Sequence, residues 1–261
     1  MNIFTKTFTN LKIQKKLAFM PFVVAGFPNY KASLNAALHL AKVSDLLEVG
    51  FPFSDPVADG PTIQNADKLA LKNGMTTKLV FKFVAEIKKK SKIPVTILVY
   101  ANLVYQQGIE SFYNQAKLAG INGVLVPDLP PEEAGPFVRA AIKAGVTPIF
   151  LAAQTTNNKR LKKILKYAQG YLYVVSILGV TGARKSFAGA TNKMVKRFKS
   201  QTKMPLSIGF GISNKAQVGL LKQAGADGII VGSAVLKIIE ACKKSSELTK
   251  KLELFKNKLM P

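Results

Sequence analysis

The chain has 261 residues, 48% hydrophobic and 20% charged, which is the composition of a folded globular protein and excludes a disordered one. Its formal net charge of +24 comes from 34 lysines and four arginines (Arg139, Arg160, Arg184, Arg197) set against 14 acidic residues. Arginine is the usual reader of base edges, so lysines scattered over helix faces argue against a dedicated nucleic-acid surface, and a single cysteine, Cys242, excludes a disulfide framework or a cysteine-rich zinc site.

Residues 2–14 place Ile3, Phe4, Phe8 and Leu11 on one helical stripe, which predicts an N-terminal helix within residues 1–15 that plugs one end of the fold. The following run, KKLAFMPFVVAGFP (15–28), has the outline of a secretory signal. It contains Pro21, however, and leads into more of the same alternation, so it reads as a first strand. No apolar stretch reaches the ~20 residues needed to span a bilayer. A reducing, cytoplasmic setting fits the lone thiol.

From there apolar runs recur near 18–24, 46–50, 94–100, 122–126, 147–151, 171–175, 205–208 and 227–231. Amphipathic segments lie between them, among them 31–43, 76–90, 108–119, 131–144 and 214–224. Gly120, Gly145 and Gly225 stand where a helix ends and a strand begins, a joint that favours a left-handed residue. Because the strands are nearly continuous apolar runs, both of their faces are covered, as in parallel sheets. Eight such units within a single domain, 1–261, predict an α/β fold of the (β/α)8 barrel type, with a doubly wound open sheet as runner-up.

In such barrels the chemistry sits at the C-terminal ends of the strands, which turns position into a filter. The one histidine, His39, falls inside a helix, so a histidine triad or multi-histidine metal site is excluded. Asp45 and Asp227 lie at the opposite ends of strands, Asp67, Glu86, Glu110, Glu240, Glu247 and Glu253 on helices, and Glu132 and Glu133 open a helix behind Pro131. Glu48, Asp55, Asp59 and Asp128 remain. Glu48 interrupts the strand LLEVG, where a carboxylate is costly unless it is paired or holds its proton, the property of a general acid/base. Asp59 is delivered to the barrel mouth by ADGPTIQ. Asp55, in SDP, reads as a turn residue, and Asp128, between Pro127 and Pro130, as a residue that orients its loop.

Glycines cluster after the last three strands, in SILGVTGARK, IGFGIS and VGSAVLKIIE. Their N–H groups, with a helix beginning near Ser233, form a candidate phosphate cradle that needs no basic side chain. Phe22, Tyr100, Tyr173 and Phe210 are the candidate aromatic lining between this anion end and the carboxylates.

PFSDPVADGPTIQNA (52–66), YANLVY (100–105), GVTGAR (179–184) and GFGIS (209–213), in this order, resemble the tryptophan synthase alpha subunit family over essentially the whole chain. The resemblance implies a lyase that splits indole-3-glycerol phosphate into indole and glyceraldehyde 3-phosphate by a retro-aldol reaction. It implies Glu48 as the acid/base, Asp59 as acceptor of the indole N–H, Tyr173 beside the acid/base, and Thr181 as a mobile-loop residue that meets Asp59. Gly182, Gly211, Gly232 and Ser233 match phosphate ligands. It also implies a pyridoxal-phosphate beta subunit as partner in an αββα heterotetramer, with no cofactor or metal in this chain. Gln154, Ile177 and Leu178 depart from the family pattern. A stand-alone lyase releasing indole, another phosphosugar barrel enzyme such as an isomerase, and a basic polyanion-binding protein remain as alternatives.

Overall fold

The computed structural model describes residues 2–175, 184–209, 212, 214–242 and 244–260, apart from the side chains of 184–188. Helix α1 (Ile3–Ile13) comes first, with the Asn2 side chain accepting the Phe4 N–H at its start, and it buries Phe4, Phe8 and Leu11. Ile3 is not part of that stripe. It is 37% exposed, because one residue before Phe4 it points about 100° away around the helix.

Eight strands follow: β1 (Ala18–Val24), β2 (Leu47–Gly50), β3 (Val95–Leu98), β4 (Gly123–Leu125), β5 (Thr147–Ala153), β6 (Leu172–Val175), β7 (Leu206–Gly209) and β8 (Gly228–Val231). Each pairs in parallel with its sequence neighbours, and β8 pairs with β1, closing the (β/α)8 barrel expected from the apolar runs. Helix α2 (Tyr30–Val43) returns the chain from β1. Two helices, α3 (Pro61–Lys72) and α4 (Thr77–Lys90), follow β2, and two more, α5 (Ala101–Gln107) and α6 (Ile109–Leu118), follow β3. The next returns are α7 (Gly135–Ala144), α8 (Asn158–Tyr167), α9 (Arg184–Lys199) and α10 (Lys215–Ala224); α11 (Ser233–Ala241) and α12 (Ser245–Leu259) follow β8.

The helix-to-strand joints follow the glycine pattern. Gly120, Gly145 and Gly225 have φ of +81°, +70° and +102°, a region that L side chains rarely adopt. One helix start differs from the sequence reading. Glu132 and Glu133 sit in a turn, and α7 begins only at Gly135, with Pro136 in its first turn. Glu132 instead lies 2.9 Å from Lys163 and 3.7 Å from Arg160, both on α8, so its partner is a neighbouring helix rather than a dipole.

The N-terminal end of the barrel is sealed by α1. Phe4 is fully buried against Tyr171, ring centroids 5.5 Å apart, and a Cβ on Gly123 or Gly170 would come within about 3.1 Å of its ring. Asn2 adds a bond from its amide to Thr147 Oγ1 at 2.6 Å. Asp45 and Asp227 tie this end together, Asp45 accepting the Phe19 N–H and Asp227 accepting the Leu206 N–H, each at 2.8 Å. Asp227 also takes a close ion pair from Lys199. Replacing Asp227 by Ala leaves the Leu206 amide without its acceptor and the Lys199 ammonium with only the Met204 carbonyl. It is expected to destabilise the fold by about 1–3 kcal/mol in urea titration while the active face keeps its shape.

Candidate active site

Strand β2 carries Glu48 into the barrel interior. Its register partners are Phe22 on β1 and Thr96 on β3, and residues paired across parallel strands share a face of the sheet. Tyr171, just before β6, donates its hydroxyl to Thr96 Oγ1 at 3.2 Å, a bond that spans the barrel and marks that face as inward. Glu48 is 0% exposed, and neither of its carboxyl oxygens has a hydrogen-bond partner among the described residues. Burial first, and the negative charge of Asp59 second, push its pKa from the ordinary 4.5 up to about 8. At neutral pH this carboxyl holds its proton. Gly50, two residues further along β2, has the Phe22 ring over it, where a Cβ would meet Cζ at 2.6 Å.

Asp59 comes from the loop between β2 and α3. The Asp59 N–H bonds to the Pro56 carbonyl at 3.0 Å, Gln64 Nε2 donates to the Asp59 backbone carbonyl at 2.8 Å, and Gly60 and Pro61 start α3 directly behind it. The carboxylate is held from the other side: Tyr100 Oη donates to Oδ2 at 2.7 Å and accepts the Ala58 N–H at 3.0 Å. The Tyr100 ring is stacked on Phe53 with centroids 5.0 Å apart. Burial raises the Asp59 pKa, and the Tyr100 hydrogen bond opposes that rise.

Asp59 opens onto a cavity of about 420 Å³, inside the range that holds small-molecule ligands. Phe22, Leu98, Tyr173 and Ile230 form apolar wall, Asp59 stands on one side, and Gly232 and Ser233 on the other. Tyr173 is 7% exposed, and burial together with the Glu48 charge holds its hydroxyl well above the usual phenol range. Gly232 is the residue before α11, whose first N–H groups have no acceptor within the helix. The site therefore joins a proton-bearing acid, a carboxylate acceptor, an apolar slot and a helix N-terminus that suits an anion. Among the described residues no group of three or more His, Cys, Asp or Glu is arranged to hold a metal.

The family described as Tryptophan synthase alpha chain matches this sequence over residues 8–260. The chain belongs to that family. The tryptophan synthase alpha chain of Methanothermobacter thermautotrophicus is 46% identical over 88% of this chain and 86% of its own length. That of Escherichia coli is 44% identical over 92% and 90%. Among solved structures, a chain of the tryptophan synthase a2b2 complex of Pyrococcus furiosus superposes with a TM-score of 0.87 at 37% identity, covering 94% of this chain and 98% of that one. The tryptophan synthase alpha subunit of Legionella pneumophila gives 0.85 at 34% identity, covering 97% and 99%.

Within this alpha-chain barrel, the sequence-predicted residues divide into four groups. Asp59, Tyr173, Phe22, Gly232 and Ser233 line the cavity, and Glu48 lies fully buried outside its lining, close enough to Asp59 and Tyr173 for their charges to interact. Tyr100 is not part of the wall; at 1% exposed it stands behind Asp59 and holds it. Thr181, Gly182, Phe210 and Gly211 lie outside the described residues, as do Ile177 and Leu178. Gln154 is described, and its backbone carbonyl, with that of Thr156, accepts from Arg197 of α9. Asp55 is exposed beside Ser54, and Asp128 accepts the Ala101 N–H at 2.9 Å, orienting the loop before α5.

Sequence reasoning misses two residues. Asp67 on α3 is only 3% exposed, and burial plus the charge of Asp59 raise its pKa to about 8. A local signal for it exists, since Ile63, Ala66, Asp67 and Ala70 fall on one helical stripe, so Asp67 shares the buried face. Lys237, on α11, lines the cavity at its Gly232 end.

Proposed function

We propose that this chain cleaves indole-3-glycerol phosphate to indole and glyceraldehyde 3-phosphate, with Glu48 as general acid/base and Asp59 as acceptor of the indole N–H. The observation that carries this reading is Glu48 itself: a fully buried carboxyl with no hydrogen-bond partner among the described residues, facing the barrel interior and protonated at neutral pH. The indole ring fits the apolar slot between Phe22, Leu98 and Tyr173, and the phosphate arm fits the N-terminus of α11 at Gly232 and Ser233. Thr181, Gly182, Phe210 and Gly211 complete the substrate contacts in this reading.

The steps follow from those positions. Glu48 gives its proton to indole C3, which turns the ring into a cationic electron sink. Asp59, on the ring's other side, stabilises the positive charge that develops at nitrogen. The glycerol hydroxyl next to the ring then loses its proton to the Glu48 carboxylate, and the carbon–carbon bond breaks. Its electron pair returns to the ring, so indole and an aldehyde leave and Glu48 regains its proton. Tyr173, packed close to Glu48, keeps the acid dry and limits its orientations.

The chain acts in this reading as one barrel domain spanning 1–261, in the cytoplasm, as the alpha subunit of a tryptophan synthase. Its partner is a beta subunit that carries pyridoxal phosphate and receives the indole, in an αββα assembly; the Pyrococcus furiosus relative forms an a2b2 complex. No helix among the described residues is long and apolar enough to cross a membrane. Purified chain incubated with indole-3-glycerol phosphate is expected to release indole slowly alone and faster when a tryptophan synthase beta subunit is added. Absence of indole in both mixtures, from folded protein, sinks the reading.

A further inference from the structure

The cavity carries two charges of opposite sign among the described residues that line it, Asp59 at one side and Lys237 at the other. The first belongs to the ring-binding end. Lys237 has no part in that chemistry, yet its position is specific. It lies four residues after Ser233 on α11, so both side chains share a face of the helix, and long helical side chains lean back toward the N-terminus. That direction brings its ammonium toward the N–H groups that follow Gly232, which have no acceptor within the helix.

Like most helices of the chain, α11 brings no acid of its own to its N-terminus, so the support for a ligand there is the placement of Lys237 at the cavity. The one base of α11, Lys237 sits in the middle of the helix, and Glu240 follows nearer the C-terminus. No carboxylate among the described residues forms an ion pair with Lys237, which leaves its charge available. A free anion at the helix start satisfies both the N–H groups and this ammonium.

We propose that Lys237 is the cationic ligand of the substrate's phosphate, reaching back along α11 to the anion cradled by the Gly232–Ser233 N–H groups. The inference rests on the lyase reading for the identity of the substrate, but the anion contact is testable without it. Lys237 is exposed, so its charge is partly screened, and the effect is that of one charge-assisted hydrogen bond rather than a buried pair. It distinguishes phosphorylated from unphosphorylated indole-glycerol without touching the ring or the reacting bond.

Calorimetric titration with inorganic phosphate, in parallel with steady-state cleavage of indole-3-glycerol phosphate, compares the wild type with Lys237→Gln and Lys237→Arg. The Gln variant is expected to weaken phosphate binding and raise KM by about tenfold each, with the loss falling on KM rather than kcat. Arg restores most of both, and added salt weakens phosphate binding more steeply in the wild type than in Lys237→Gln. Unchanged phosphate affinity in a folded Lys237→Gln protein overturns the assignment and leaves the lyase reading intact. Lysine-dependent phosphate binding by a wild type that releases no indole supports the assignment while removing the lyase reading.

Discussion

Replacing Glu48 by Gln is expected to lower kcat about 10²–10⁴-fold while making the protein more stable at alkaline pH. The amide keeps the shape of the side chain but cannot give a proton to the ring. In the wild type, kcat/KM should fall as pH rises through about 8, where the buried carboxyl of the free enzyme loses its proton, and the residual activity of Glu48→Gln should lack that limb. A folded variant with wild-type kcat removes Glu48 from the chemistry.

The stability half of the prediction follows from the same pKa. The folded value, about 8, lies above the ordinary 4.5, so between these pH values the folded protein holds a proton that the unfolded chain has released. Stability from this group is complete below 4.5, falls as pH rises through that window, and is lost above about 8. A shift of this size corresponds to at most about 5 kcal/mol. Gln is neutral throughout, so Glu48→Gln should match the wild type near pH 4 and exceed it near pH 9. Asp67 titrates in the same window, since it too is raised to about 8, but it is present in both proteins and cancels in the comparison. Urea midpoints differing by the same amount at both pH values show that Glu48 ionises normally and the buried-acid argument fails. The conflict between a stable barrel and a working acid is the reason a carboxyl in LLEVG reads as functional from the amino-acid pattern alone.

What is legible in the sequence follows from local rules. The continuous apolar runs mark doubly covered strands, and each observed strand falls within two residues of its expected limits. Glu48 and Asp59 emerge because strand ends and loops can be assigned from that pattern alone. The misses are tertiary. Tyr100 reads as cavity wall because an aromatic at a strand end points toward the mouth, but its hydroxyl is drawn to Asp59, across 41 residues of chain. Asp67 groups with the helical acids in the sequence, although its stripe packs inward. Lys237 is one of 34 lysines, and nothing local separates it from the others until α11 is placed against the cavity. The extra helices α3 and α5 share units with α4 and α6, so counting one helix per strand undercounts them.

The pairing of Tyr100 with Asp59 leads to a second strong expectation. Asp59→Asn removes the negative charge that faces the developing cation on the ring, and kcat/KM is expected to fall about 10²–10³-fold, the usual scale for one preorganised electrostatic group. Tyr100→Phe preserves the ring stacked on Phe53 but deletes the hydroxyl, leaving the Ala58 N–H without its acceptor and Asp59 Oδ2 without its donor. Since that hydrogen bond lowers the Asp59 pKa against the effect of burial, its loss raises the pKa further. The acidic limb of kcat/KM therefore moves to higher pH, and the rate at neutral pH falls about tenfold, the value of one charge-assisted bond. If Tyr100 acts through Asp59, the Phe substitution must lose most of its effect in an Asp59→Asn background, where no carboxylate remains to be tuned. Equal losses in both backgrounds, or an acidic limb that stays in place in Tyr100→Phe, show that the hydroxyl works elsewhere and that Asp59 is positioned by its loop alone.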